Sequence, residues 1–204
     1  MSPGRERPYP DEPAERFERP PISFTDADGR PVELYAYEGR REGTDSRDRS
    51  PPSGPSPESD GAFAPEDAFA ALVAMYVDFD PADRAQGIPP PGEERIREWL
   101  DRILGGGQDV IAVVDGRAVG HATLVPDGKG AAELAIFVLH THQGAGIGSR
   151  LIAALLGQGQ QEGVERVWLT VERWNGVAIA LYHKVGFETC GTDSFEIEMS
   201  IRLS

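Results

Sequence analysis

The chain has 204 residues, enough for one domain of ordinary size with extensions, and 39% of them are hydrophobic, enough for a core. Its formal charge of -14 disfavours nucleic acid and anionic lipid as partners, because phosphate binding needs a basic footprint. The single cysteine, Cys190, excludes an intrachain disulfide and packs more readily as a small apolar residue than as a nucleophile.

Residues 1–20 are rich in Pro, Glu and Arg without an apolar period and read as a flexible arm. Residues 21–37 alternate around Asp28-Gly29 and predict a β-hairpin joining the domain. Residues 38–62, almost without apolar side chains, read as a disordered insert. The remainder, 63–204, is one folded domain. A helix begins with Pro65, Glu66 and Asp67 in its first turn and buries Phe69, Leu72, Val73, Tyr76 and Val77. A proline-rich connection containing Asp83 and Arg84 follows, then a second amphipathic helix, Glu93 to Leu104. Two strands meet through Asp115-Gly116, and a third, AAELAIFVL, leads into the glycine-rich stretch HQGAGIGS. A helix to about Gln161 has Ile147, Leu151, Ile152, Leu155 and Leu156 as its buried stripe. Then come the strand VERVWLTVE, a helix opened by Asn175 and closed by Gly186, and a final strand pair. This order predicts an α+β fold, a single mixed, mostly antiparallel sheet flanked by helices. The N-terminus lacks an apolar signal core, and the longest uncharged apolar run, Ala68 to Val77, is too short to span a bilayer. A cytoplasmic location is expected. With only Lys129 and Lys184 as lysines, the acidic, arginine-using composition resembles that of a salt-adapted or high-GC organism, haloarchaeal in type.

The glycine loop invites an anion. A helix N-terminus presents unpaired N–H groups and a partial positive charge, and Gly144, Gly146 and Gly148 let the main chain approach a phosphate closely. Ser149 can add a hydroxyl and Arg150 a charge. The stretch is not a P-loop, lacking Gly-Lys-Ser/Thr, and it is a poor dinucleotide fingerprint, with Ser149 where a third glycine belongs. Glycines serving only close packing of strand on helix are the plainer alternative.

Gln143-x-x-Gly146-x-Gly148, with Asn175 seven residues before Tyr182 and Gly186-Phe187 after it, resembles the GNAT superfamily of acetyl-CoA-dependent N-acetyltransferases. The resemblance runs from about residue 64 to 203. It implies splayed central strands, acetyl-CoA as co-substrate and no metal; His140 and His142 are read as loop surface. It implies that the pantetheine arm lies against Ile136, Phe137 and Val138. The pyrophosphate would rest on Gln143, Gly144, Ala145, Gly146, Ile147, Gly148 and Ser149, with Asn175 facing the cofactor or simply capping its helix. A main-chain N–H near Val138 would hold the oxyanion, and Tyr182 would protonate the leaving thiolate. Thr170 stands where some relatives carry a glutamate, so the base is open among Glu133, Glu172 and His121. Glu133 comes first because a carboxylate entering an apolar strand tends to a raised pKa. The acceptor pocket is expected in the connection holding Asp83 and Arg84. A small amine is the expected acceptor. A protein lysine or N-terminal amine, or a non-catalytic acyl-CoA-binding regulatory module, are the alternatives. The sequence leaves room for a homodimer.

Overall fold

The computed structural model describes residues 7–37, 68–80, 88–104 and 106–204. The expected insert at 38–62, the helix start at Pro65, Glu66 and Asp67, and Asp83 and Arg84 lie outside the described residues.

The hairpin is β1 (Ile22–Thr25) and β2 (Pro31–Ala36). The Asp26 side chain accepts from the N–H groups of Asp28 and Arg30 and closes the turn, with Gly29 at φ 84°. Helix α1 (Ala68–Val77) and helix α2 (Glu93–Ile103) precede β3 (Gln108–Val114) and β4 (Arg117–Pro126). Asp115 and Gly116 both take positive φ between these strands, as a tight right-twisted hairpin requires. Strand β5 (Ala132–Val138), a 3-10 turn at His140–His142 and α3 (Ile147–Gln161) follow. The chain ends with β6 (Arg166–Glu172), α4 (Gly176–Val185), β7 (Glu188–Thr192) and β8 (Glu196–Arg202).

All eight strands form one sheet in the order β1-β2-β3-β4-β5-β6-β8-β7. Among the described residues the only parallel strand pair is β5 with β6. Strand alternation assigns each face a core. On the back, Leu134, Ile136 and Val138 of β5 and Val167, Leu169 and Val171 of β6 pack with α3 and α4. On the front, Ile111, Val113 and Phe137 pack with α1 and α2. The α3 stripe Ile147, Leu151, Ile152, Leu155 and Leu156 is fully buried, as its spacing predicts. In α1 the expected Val77 is half exposed, and Ala68 and Met75 are buried as well, because this helix is apolar around most of its circumference.

The expected flexible arm differs from Arg7 onward. The Pro8 carbonyl accepts from the Ser200 hydroxyl at 2.9 Å, and the Ala14 N–H donates to the Arg202 carbonyl at 2.8 Å. The Phe17 N–H donates to Gln160 Oε1 at 2.9 Å. A Cβ on Gly157 would fall 2.5 Å from the Glu18 carbonyl oxygen, so α3 accepts the arm only through that bare position. Main-chain bonds to distant partners hold the segment, and these leave no apolar period in the sequence.

Candidate active site

Strands β5 and β6 pair through only two residues of each, Ala132 with Val167 and Glu133 with Trp168. Beyond that point β5 stays registered with β4 as far as Val138, while β6 is registered with β8. A slot therefore opens between them toward the glycine loop. The direction of the main-chain groups follows from the ladder. The Leu139 N–H donates to the Val119 carbonyl of the β4 side, and in an antiparallel pair alternate residues turn both polar groups the same way. Odd-numbered β5 residues thus face β4, and Ile136 and Val138 turn theirs into the slot. Phe137, expected among the cofactor contacts, turns its main chain to the β4 ladder. Its side chain joins the front aromatic cluster, 5.4 Å from Tyr76 and 5.7 Å from Trp99 between ring centroids.

At the mouth of the slot, the Gln143 side chain donates to the Val138 carbonyl at 3.0 Å. Gly144 and Gly146 take φ of 75° and 88°, where a side chain is strained. A Cβ at either would meet nothing within 4 Å, so the space above them is open. Gly146 is the N-cap of α3 and brings no side-chain cap, which leaves the first-turn N–H groups of Ile147, Gly148 and Ser149 as anion donors. The Ser149 hydroxyl donates to the Gly146 carbonyl at 3.0 Å, so its main-chain N–H rather than its hydroxyl is the group offered outward. Ala145 is buried, and its carbonyl accepts from the Ala27 N–H at 3.0 Å, tying the loop to the β1–β2 turn. Arg150 lies over the Phe24 ring of the same hairpin. A Cβ on Gly148 would lie 3.4 Å from Leu181 and 3.8 Å from Ile136, so loop, α4 and β5 converge there.

Tyr182 shares the back core with Ile136, Val138 and Leu181, and its ring sits 5.9 Å from Phe187. The α4 terminus fixes it: Gly186 at φ 112° and Phe187 both donate N–H groups to the Tyr182 carbonyl. Burial pushes the phenol up to about 12, so it is protonated at neutral pH. Asn175 is the α4 N-cap, its Oδ1 accepting from the Ala178 N–H at 3.1 Å.

Glu133 stands on the front face at the closed end of the slot. The residue is exposed, but desolvation by its neighbours raises its carboxyl; the Arg7 charge pulls it down and Asp127 pushes it up. Glu172 lies at the opposite end of β6, paired with Glu196. His121 is fully buried and both ring nitrogens are engaged, Nδ1 with the Tyr76 hydroxyl at 2.7 Å and Nε2 with Asp109 Oδ1 at 3.1 Å. It ties α1 to the sheet, away from solvent. His142 is lowered, first by burial and then by Arg30. Cys190 is raised by burial, which leaves its thiol a weak nucleophile.

Several residues of this face carry no sequence signal. Arg7 stacks on the Trp168 ring, 3.6 Å from its centroid, pairs with Glu198, and reaches Asp127 at 4.0 Å. Arg7 and Glu198 are 191 residues apart, and no short-range pattern joins them.

A sheet split beside a glycine loop, with a helix capped by that loop, defines a slot with an anion-accepting mouth. Residues 71–187, more than half of the chain, match the model of the acetyltransferase (GNAT) family, and the chain belongs to that family. Among curated relatives, a mycothiol acetyltransferase of Saccharomonospora viridis is 34% identical over 137 residues, 63% of this chain and 44% of that protein. An uncharacterized N-acetyltransferase of Mycobacterium bovis is 34% identical over 84 residues, 41% of this chain and 54% of that protein. The chain thus spans about half the length of the curated relatives it matches. These relatives are bacterial and lend nothing to a haloarchaeal source. The GNAT domain of S. lividans PAT superposes with a TM-score of 0.67 at 15% identity, covering 89% of this chain and 96% of that one. The ribosomal-protein-alanine N-acetyltransferase of Brucella melitensis is 27% identical with a TM-score of 0.57, covering 70% and 98%. The yncA protein of Salmonella typhimurium, solved with its cofactor acetyl-CoA, has a TM-score of 0.55 at 22% identity, covering 70% and 92%. Among the described residues no helix is long and apolar enough to cross a membrane.

Proposed function

We propose that this chain transfers the acetyl group of acetyl-CoA to the amine of a small acceptor by direct attack within a ternary complex. The observation that carries this reading is the two-pair β5–β6 ladder, which opens a slot between the glycine loop and the core that holds Tyr182. The donor set suits the co-substrate: bare main-chain N–H groups at the α3 N-terminus for a pyrophosphate, and slot-facing polar groups at Ile136 and Val138 for the amides of the pantetheine arm.

In this scheme Glu133, or water it orders, takes the proton from the acceptor ammonium, and the neutral amine attacks the thioester carbon. A slot-facing β5 N–H near Val138, with that of Ile136 nearer Glu133, donates to the oxyanion that develops there. Tyr182 then gives its proton to the departing sulfur as the carbon–sulfur bond breaks, the product nitrogen releases its surplus proton to solvent, and Tyr182 regains one from solvent. Asn175 caps α4 with its Oδ1, and its NH2 group would serve the cofactor. The front face would receive the acceptor.

A peptide amine in place of a small one is the second reading. A hollow of about 250 Å³ beside β6 favours it, lined by Thr170, Gly191, Thr192, Asp193, Glu196 and Glu198. Thiol release from acetyl-CoA against a panel of small amines and peptides, at low and high salt, tests both. Turnover with small amines alone supports the first reading, turnover with peptides alone the second. Release with no acceptor in either set would leave neither standing.

A further inference from the structure

On the front of the slot, Arg7 sits where an acceptor would have to approach. Its guanidinium carbon lies 3.6 Å from the ring centroid of Trp168, the β6 residue registered with Glu133 at the vertex of the split. It is flanked by the carboxylates of Glu198 and Asp127. An aromatic face with carboxylates at its rim is chemistry that holds a cation, whether a side chain of the same chain or a ligand. Asp127 is fixed independently of Arg7. Its carboxylate accepts N–H groups from Lys129 at 2.7 Å and Ala131 at 3.1 Å, so it stays in place when the arm leaves. Glu198 is likewise fixed in β8 opposite Thr170. The arm, by contrast, is held by scattered main-chain bonds, at Pro8, Asp11, Ala14 and Phe17, to β8 and α3.

We propose that Trp168, Glu198 and Asp127, beside Glu133, form the acceptor's cation-binding site, and that Arg7 occupies it as an internal stand-in which a cationic acceptor displaces. The ligand class is an alkylammonium group, carried by a free polyamine or by a lysine side chain. The assignment deepens the transferase reading and rests on it for the word acceptor; the cation site itself stands on the contacts alone. A tethered arm competes at an effective concentration of roughly millimolar, so removing its guanidinium unmasks the site.

The test is calorimetric titration of spermidine, and separately of an N-acetylated lysine peptide, into the full chain without acetyl-CoA, at low ionic strength. Arg7→Ala is expected to bind at least one of them about tenfold tighter than wild type, the tether's competition being gone. Arg7→Lys keeps the charge and stays near wild type, and Arg7→Ala with Glu198→Gln loses the gain. Which probe gains tells polyamine from lysine. Gly157→Ala, which pushes on the Glu18 carbonyl without touching the site, gives a smaller gain in the same direction and decides the matter if Arg7→Ala does not fold. Unchanged affinity for both probes in a folded Arg7→Ala chain overturns the proposal, as does a gain that survives Glu198→Gln. A gain in binding without thiol release in any variant leaves the cation site standing and removes the transferase reading.

Discussion

As proposed binding surfaces, the glycine loop and the front of the slot are built in opposite ways. The loop works with main chain from one run, Ile136 to Ser149, braced by a hairpin that donates the Ala27 N–H to the Ala145 carbonyl. The front works with side chains from separate segments: Arg7, Asp127, Glu133, Trp168 and Glu198. A main-chain site must be contiguous, since consecutive N–H groups at a helix start supply its donors. A side-chain site needs only that the sheet bring its members to one face. The same co-substrate geometry can therefore be kept while the acceptor surface is rebuilt residue by residue.

The changes that test this division separate catalysis, cofactor binding and stability. Tyr182→Phe removes a proton from the slot and little volume from the core. Single-turnover thiol release should fall by roughly 100- to 1,000-fold, with acetyl-CoA affinity and melting temperature nearly unchanged. Equal turnover would take the phenol out of the reaction.

Glu133→Gln comes next, with a loss in kcat/KM of about 100-fold. The group must be ionised to accept a proton, so the wild-type rate falls as pH drops through its raised value, above the ordinary 4.5. The glutamine variant should lose that acid limb. Stability carries the opposite sign. A carboxyl raised by folding binds more protons in the folded state, so wild type loses stability as pH rises from 4.5 through the raised value. Urea melts of Glu133→Gln should lack that loss.

His121→Leu tests the front core rather than the chemistry. Asp109 would be left buried without its imidazole partner, at a cost of about 3 kcal/mol in denaturant unfolding. The pH–rate limbs should not move; a limb that vanished with His121 would return it to the list of bases. Smallest is Gly146→Val. Forcing a branched side chain to φ 88° costs about 1–2 kcal/mol. Acetyl-CoA binding should weaken about tenfold if the loop shifts to relieve that strain, with acceptor affinity untouched.

This division also explains what the sequence could carry. The α3 stripe, the hairpin turns at Asp28-Gly29 and Asp115-Gly116, and the glycine loop are local patterns, and each is legible within a dozen residues. Helical spacing does not place Val77, because an all-apolar helix offers more than one face to bury. A strand's sequence does not say which neighbour its polar groups serve; for Phe137 the Leu139–Val119 bond does. The arm and the Arg7–Trp168 contact were illegible because their partners lie almost the whole chain away, and a proline-rich run held by main-chain bonds has no period to read.

Amide chemical-shift mapping during titration with acetyl-CoA bears most directly on the central claim, that bare main chain beside a split sheet holds the co-substrate. The largest changes should fall on the N–H groups of Ile136, Val138, Gly144 and Gly146 through Ser149, with Phe137 moving less because its N–H stays in the β4 ladder. Saturable binding that leaves the loop amides still, or that moves Phe137 more than its two neighbours, would contradict it.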